Sequence, residues 1–251
     1  MMSKVPANNS PLLEVVGLST HFHTPKGTAR AVDGVSFKVN SGEILGIVGE
    51  SGSGKSVLSR TIVDILQKDD KVKIEGQVIF EGKDLRSFSE RKMRDIRGTE
   101  IAMVFQDPMS SLNPVMKIGK QITEVLTGRL GMGRGDSKIR ALELMGSVGI
   151  PGAEKLFNCY PMHLSGGMRQ RMAIAIALAG EPKLMIADEP TTALDVTIQA
   201  QILALLHQQR SERNMAIILI THDLGVVSNH TDWVLVMYAG QIVEGSSTEN
   251  L

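Results

Sequence analysis

One cysteine in 251 residues, Cys159, excludes an intrachain disulfide and a cysteine-built metal cluster. It is expected to be a small buried hydrophobe in a reducing compartment. Charge of either sign is not in surplus: Lys+Arg and Asp+Glu are both 27, so no basic excess points to nucleic acid or to an anionic membrane surface. No apolar run approaches the roughly 20 residues a membrane helix needs, and Met1 to Ser10 lacks the apolar core of a secretion signal. A soluble, cytoplasmic chain is expected. Internal repeats and low-complexity segments are missing as well. With 42% hydrophobic and 22% charged residues, the chain can bury one large domain or a core with an inserted subdomain.

The most informative stretch is Gly49-Glu50-Ser51-Gly52-Ser53-Gly54-Lys55-Ser56, followed by Val57. It fits the phosphate-binding pattern G-x-x-x-x-G-K-[ST] in full. The glycines let successive backbone N–H groups turn onto phosphate oxygens, Lys55 can reach the β- and γ-phosphates, and the Ser56 hydroxyl can ligate Mg²⁺. Glu43 to Val48 reads as a short apolar strand, while Leu58, Ile62, Ile65 and Leu66 recur at helical spacing. Strand, glycine loop and helix together make an anion cup, with the helix N-terminus adding partial positive charge.

Along the chain, residues 1 to 11 are polar and proline-punctuated and are expected to fray. Leu12 to Val39 reads as antiparallel strands around Thr24-Pro25-Lys26-Gly27, and Lys73 to Phe80 as a hairpin strand closed by Glu81-Gly82-Lys83-Asp84. Residues 84 to 99 read as a short charged helix, and Ile101 to Phe105 as a buried strand. From Asp107 to about Leu178 only helical patterns recur, with Ile118, Ile122, Val125 and Leu126 on one face and Ile139, Leu142 and Met145 on another. Strands resume at Leu184 to Ala187, Ala216 to Thr221 and Trp233 to Tyr238, with Ile198, Ile202, Leu205 and Leu206 on a helix between the first two. Near-continuous apolar strands alternating with helices predict a parallel sheet covered on both faces, with ligands at the strands' carboxyl ends.

Polar residues fall at those ends. Asp188 and Glu189 follow a buried strand, where adjacent carboxylates are costly without a cation. A Mg²⁺ carried by ATP supplies the charge, with Asp188 on the metal, directly or through water, and Glu189 as general base to the attacking water. Gln106 and His222 end two other strands and are placed to touch the γ-phosphate, its Mg²⁺ or the water. The remaining histidines, His21, His23, His163, His207 and His230, show no metal-ligand spacing. Leu164-Ser165-Gly166-Gly167-Met168 opens a further helix, with Ser165 as cap and a second anion site at its N-terminus. Two phosphate sites in one chain point to a head-to-tail pair in which each protomer closes the other's nucleotide site.

These motifs, with Ala193-Leu194-Asp195, stand in the order found in ATP-binding cassette ATPases, and the resemblance spans nearly the whole chain. The resemblance implies an α/β fold with a RecA-like P-loop NTPase core of mainly parallel strands (12–106 plus 179–251), an N-terminal antiparallel β-subdomain and an inserted helical subdomain (107–178). It places Asp195 on a loop facing the partner protomer and an aromatic near the N-terminus on the adenine, Phe22 or else His23. Phe105 to Pro114 and Asp188 to Thr197 resemble the oligopeptide and dipeptide permease branch, which includes nickel and glutathione importers. That likeness implies an ATPase at the cytoplasmic face of the inner membrane, with two transmembrane permease subunits, a second ATPase subunit, an extracytoplasmic binding protein and no nucleic acid partner. The alternatives are a soluble cassette ATPase of DNA repair or translation, which would need a coiled coil or a second cassette, and a small-molecule kinase, which would not explain Leu164 to Met168. Three features depart from the branch: Met168 replaces glutamine, Tyr160-Pro161-Met162-His163 replaces Tyr-Pro-His-Glu or Tyr-Pro-His-Gln, and the proline- and cysteine-bearing tail expected after Gly245-Ser246-Ser247 is not in the sequence, either truncated or missing, so the iron–sulfur cluster of some relatives is not supported.

Overall fold

The computed structural model describes residues 10–66, 69–107, 111–192 and 194–250. Residues 1–9 of the stretch expected to fray, Pro108-Met109-Ser110 and Ala193 lie outside the described residues. Two sheets form the frame. Strands β1 (Leu13–Thr24), β2 (Gly27–Val39), β4 (Val72–Phe80) and β5 (Lys83–Asp84) make an antiparallel sheet in the order β2-β1-β4-β5. The second sheet runs β10-β9-β3-β8-β7-β6 and contains β3 (Ile44–Val48), β6 (Ile101–Val104), β7 (Leu184–Asp188), β8 (Ala216–Thr221), β9 (Trp233–Tyr238) and β10 (Gln241–Ser247). All of its neighbouring pairs are parallel except β9 with β10. This is the expected α/β arrangement. The hairpin closing β4 turns at Glu81 and Gly82, both at positive φ, as a two-residue connection matched to strand twist requires.

Every residue of β3, β7 and β8 is buried, which is why these strands are apolar without alternation. One apolar cluster lies between this sheet and the antiparallel sheet, and includes Leu13, Val35, Leu45, Ile47 and Ile218. The other lies on the opposite face, where Ala102, Met185 and Leu219 meet helices from between β6 and β7. The short charged helix α2 (Glu90–Ile96) precedes β6, and those later helices are α3 (Ile118–Gly128), α4 (Arg134–Ser147), the single turn α5 (Ala153–Leu156) and α6 (Gly166–Leu178). Ile118, Ile122 and Leu126 of α3 are fully buried, each stabilising by about 1.5–3 kcal/mol.

Two helices differ from expectation. α1 (Lys55–Ile62) stops before Ile65 and Leu66, because Asp64 is left-handed (φ 52°) and the Arg97 guanidinium takes the carbonyls of Val63 and Asp64. Ile65 is exposed instead of packed. In α4 the buried face is Ser137, Ala141, Leu144 and Met145, and Ile139 is 61% exposed. A three-residue spacing drifts by about 60° per step on a 3.6-residue helix, so only Met145 of the expected stripe reaches the core.

Two further helices complete the fold. α7 (Val196–Arg213) is capped by Asp195, whose carboxylate accepts from Ile198 N at 2.9 Å, and ends on left-handed Asn214. Arg210 and Arg213 in its last turn complement the helix dipole. α8 (Leu224–His230) follows β8. His207 of α7 and His230 of α8 lie with ring centroids 5.1 Å apart. Burial holds both imidazoles below their usual range; Arg210 adds to this at His207 and His207 at His230, while Asp232 and a backbone hydrogen bond to His230 oppose it at His207. Depressed values mean that the folded chain resists protonation, so this stability is intact above the unfolded value, about 6.5, and is lost as pH falls through the folded values. His230→Phe should flatten the fall of Tm between about pH 7 and 5 in calorimetry. An unchanged slope would show that the pair does not titrate on unfolding.

Candidate functional site

The carboxyl ends of β3, β8, β7 and β6 lie side by side, and each delivers one part of the site. After β3 comes the glycine loop. Gly54 sits at φ 103° directly under the Ala31 carbonyl, where a Cβ would collide, so only glycine lets the loop pass beneath β2 into α1. The loop is also held from behind, Gly240 N donating to Ser53 O at 3.0 Å. Lys55 is 4% exposed, and its ammonium donates to Gly49 O (2.7 Å), Glu50 O (2.8 Å) and Ser53 Oγ (3.3 Å). Burial lowers its pKa, against the attraction of Glu189 and Asp188.

Ser56 Oγ donates to Asp188 Oδ1 at 3.0 Å, joining α1 to the end of β7. Asp188 is 1% exposed, and its Oδ2 is buried with no hydrogen-bond partner among the described residues. Desolvation raises its pKa; the Ser56 hydrogen bond, Arg60 and Lys55 oppose this, and Glu189 adds to it. Glu189 comes next, at φ 48°, an unusual backbone for a glutamate, held by Glu189 N donating to Ile220 O at 2.9 Å. Its Oε2 accepts from Gln106 Nε2 (3.1 Å) and from Thr192 Oγ1 (2.7 Å), and His222 Nδ1 lies 3.3 Å away. Residues from three strand ends therefore meet on one carboxylate oxygen.

Of the residues expected at the site, Ser51, Gly52, Gly54, Lys55, Ser56, Val57, Gln106 and Glu189 line one cavity of about 210 Å³, together with Ala31. Gly49, Glu50, Ser53, Asp188 and His222 touch its walls through the contacts above. Phe22 and His23 lie out on β1, Phe22 half-buried opposite Ala29 and Val72, His23 Nδ1 3.0 Å from Thr28 Oγ1. Neither lines that cavity, and neither do Ser165, Gly166, Gly167 or Asp195.

Ser165 Oγ accepts from Met168 N at 3.3 Å as the cap of α6, while Gly166 and Gly167 run against Leu194 and Ile198. A Cβ on Gly167 would press on Ile198 at 2.9 Å, so that glycine sets how closely α6 meets the start of α7. The preceding turn is built by Tyr160 N donating to His163 Nδ1 (3.3 Å) and Arg169 Nε to Pro161 O (3.1 Å), a use for the unexpected histidine. A larger cleft of about 700 Å³ lies near the amino-terminal ends of β7 and β8, lined by charge pairs such as Arg140 with Glu181. Its volume marks no chemistry. Two contributors escaped the sequence reading: Ala31 and Thr192. The signal for Thr192 was its place three residues after Glu189, across a proline turn.

A phosphate loop, a buried carboxylate beside its serine and a pinned glutamate define a nucleotide-hydrolysing cassette. The ABC transporter model matches residues 32–192, and the chain belongs to that family. It is 55% identical over 240 residues to the oligopeptide transport ATP-binding protein OppD of Bacillus subtilis, covering 96% of this chain and 67% of that protein. It is 52% identical to the dipeptide transport ATP-binding protein DppD of Lactococcus lactis, covering 96% and 69%. Among solved structures, the dimeric ATP-binding cassette MJ0796 in a post-hydrolysis state bound to ADP and phosphate aligns with TM-score 0.83 at 27% identity, over 94% of this chain and 98% of that one. CbiO1 of Clostridium perfringens, part of an ABC transporter complex, aligns at 0.79 and 28%, over 96% and 90%. The chain is an ABC ATPase that binds ATP.

The raised pKa of Asp188 has a measurable sign. Its penalty is relieved when the carboxyl is protonated, so the associated stability is present below the unfolded value, about 3.9, and is lost as pH rises through the folded value. Relative to Asp188→Asn, the wild type should therefore lose Tm as pH rises from about 4 to 7. Parallel Tm curves for the two proteins would contradict the burial of that charge.

Proposed function

We propose that this chain is the ATP-hydrolysing subunit of a peptide importer, working at the cytoplasmic face of the inner membrane with two permease subunits, a second ATPase subunit and, indirectly, an extracytoplasmic binding protein. The observation that carries the hydrolytic part is the Glu189 carboxylate, held by Gln106 and Thr192 beside the phosphate loop. The names of the relatives, oligopeptide and dipeptide transport ATP-binding proteins, support peptide uptake over DNA repair or translation.

Asp188 Oδ2, buried and without a partner among the described residues, with Ser56 Oγ beside the same carboxylate, is a donor set suited to Mg²⁺, and Gln106 stands on the adjoining strand end. Mg²⁺ bound there with ATP would neutralise charge on the β- and γ-phosphates. Among the described residues no three His, Cys, Asp or Glu side chains form a metal cluster, which fits a metal brought with its nucleotide. The chain's own residues do the rest. Gly49 to Val57 cradle the phosphates, Lys55 supplies positive charge, Glu189 takes a proton from the attacking water, and His222 positions that water and the γ-phosphate. Phe22, or else His23, stacks on the adenine.

Ser165, Gly166 and Gly167 face the γ-phosphate bound by a second protomer, with Asp195 at the seam. This head-to-tail pairing is supported by the absence of Ser165, Gly166 and Gly167 from that cavity's lining, and by Val196, 83% exposed at the start of the helix that Gly167 packs against. The permease subunits dock on the inserted helices at 107–178. Beside Gln106 an apolar cavity of about 360 Å³, lined in part by Met103, Phe105, Val125, Ala173 and Ile176, suits an apolar segment of such a partner. No helix among the described residues is long and apolar enough to cross a membrane, so attachment through partners is the economical route. ATP closes the pair because it binds the closed arrangement better, and hydrolysis releases it.

Glu189→Gln should bind ATP, lower kcat by about 10²-fold or more, and accumulate as an ATP-dependent dimer in gel filtration. Wild-type turnover by that variant would remove Glu189 from the role of base.

A further inference from the structure

We infer that Thr192 is a positioning residue for the hydrolytic glutamate: its hydroxyl, with Gln106, fixes Glu189 Oε2 and leaves Oε1 as the oxygen that takes the proton of the attacking water. The inference rests on the reading of Glu189 as general base. The residues from Glu189 to Thr192 form a tight turn, Thr192 N donating to Glu189 O at 3.2 Å, with Pro190 in the position that favours such a turn. That turn brings the threonine side chain back over its own start. Thr192 Oγ1 then donates to Glu189 Oε2 at 2.7 Å, the shortest contact on that carboxylate.

Oε2 is crowded, with Gln106 Nε2 at 3.1 Å and His222 Nδ1 at 3.3 Å on the same atom. Oε1 carries no hydrogen bond among the described residues, and Glu189 lines the phosphate-loop cavity. A carboxylate anchored by one oxygen presents the other in a fixed direction, which is what a general base requires. In the step itself the water oxygen bonds to the γ-phosphorus, the bond from that phosphorus to the bridging oxygen breaks with its electron pair leaving on ADP, and the water proton passes to Oε1. Glu189 at φ 48° is backbone that the turn holds in place, so loss of the hydroxyl frees the side chain without unfolding the strand end.

Thr192→Val removes the hydroxyl at constant shape, and Thr192→Ser keeps it. For the chain with Mg·ATP, Thr192→Val should lower kcat about tenfold, the scale of one hydrogen bond to a charged group, with KM for ATP unchanged. Thr192→Ser should restore kcat. Loss of a purely structural threonine would instead lower Tm and raise KM for ATP together with the fall in kcat. Wild-type kcat in Thr192→Val, a raised KM in it, or a Thr192→Ser as impaired as the valine variant, would overturn the inference. Full activity of Glu189→Gln, measured alongside, would instead overturn the reading of the base.

Discussion

Parallel strands buried on both faces can release polar residues only where they end, and this constraint organises the molecule. The strands β3, β8, β7 and β6 are adjacent and run the same way, so the loop after Val48, His222 after Thr221, Asp188 at the end of β7 with Glu189 just past it, and Gln106 just past the end of β6 come out along one edge. None of these residues is near another in the chain except the acidic pair. Their meeting is a property of the sheet order. Because the sheet cannot shift one strand without breaking the register of its neighbours, the site is carried by the most rigid part of the fold.

The same rigidity forces an electrostatic cost. Asp188 keeps one oxygen in a hydrogen bond to Ser56 and the other buried without a partner among the described residues, while the Lys55 ammonium is folded onto the carbonyls of its own loop. Burial pushes each towards its neutral form. In the proposed reading, an anionic phosphate with its cation would offer both groups what the protein withholds: a strong acceptor for the lysine and positive charge for the aspartate. Binding energy would then come from relief of that unfavourable burial. Glu189, one residue on, instead accepts hydrogen bonds from Gln106 and Thr192.

The sequence was readable wherever function is written into contiguous residues. The phosphate loop, the acidic pair after an apolar strand and the capped glycine start of α6 each combine a local pattern with an obvious chemical use, and the alternation of apolar strands with helices was enough to place the parallel sheet. What escaped were contacts decided by packing. The end of α1 depends on Arg97, which reaches the Val63 and Asp64 carbonyls across more than thirty residues of chain. The buried face of α4 depends on a phase that Ile139 and Leu142 misreport, since large apolar residues at the wrong angle look more persuasive than Ser137 and Ala141 at the right one. Thr192 escaped because a threonine two residues after a proline gives only a weak, positional signal until the turn is seen to close on Glu189.

The central claim is that the hydrolytic site is shared between two chains, the phosphate loop from one and the Ser165 helix start from the other. Mixing two inactive variants, Lys55→Ala and Ser165→Arg, under conditions where the wild-type rate per chain rises with concentration, tests it directly. A head-to-tail pair of unlike variants contains one intact composite site, so the mixture should hydrolyse ATP although neither variant does so alone. A mixture as inactive as its parts would contradict the shared site.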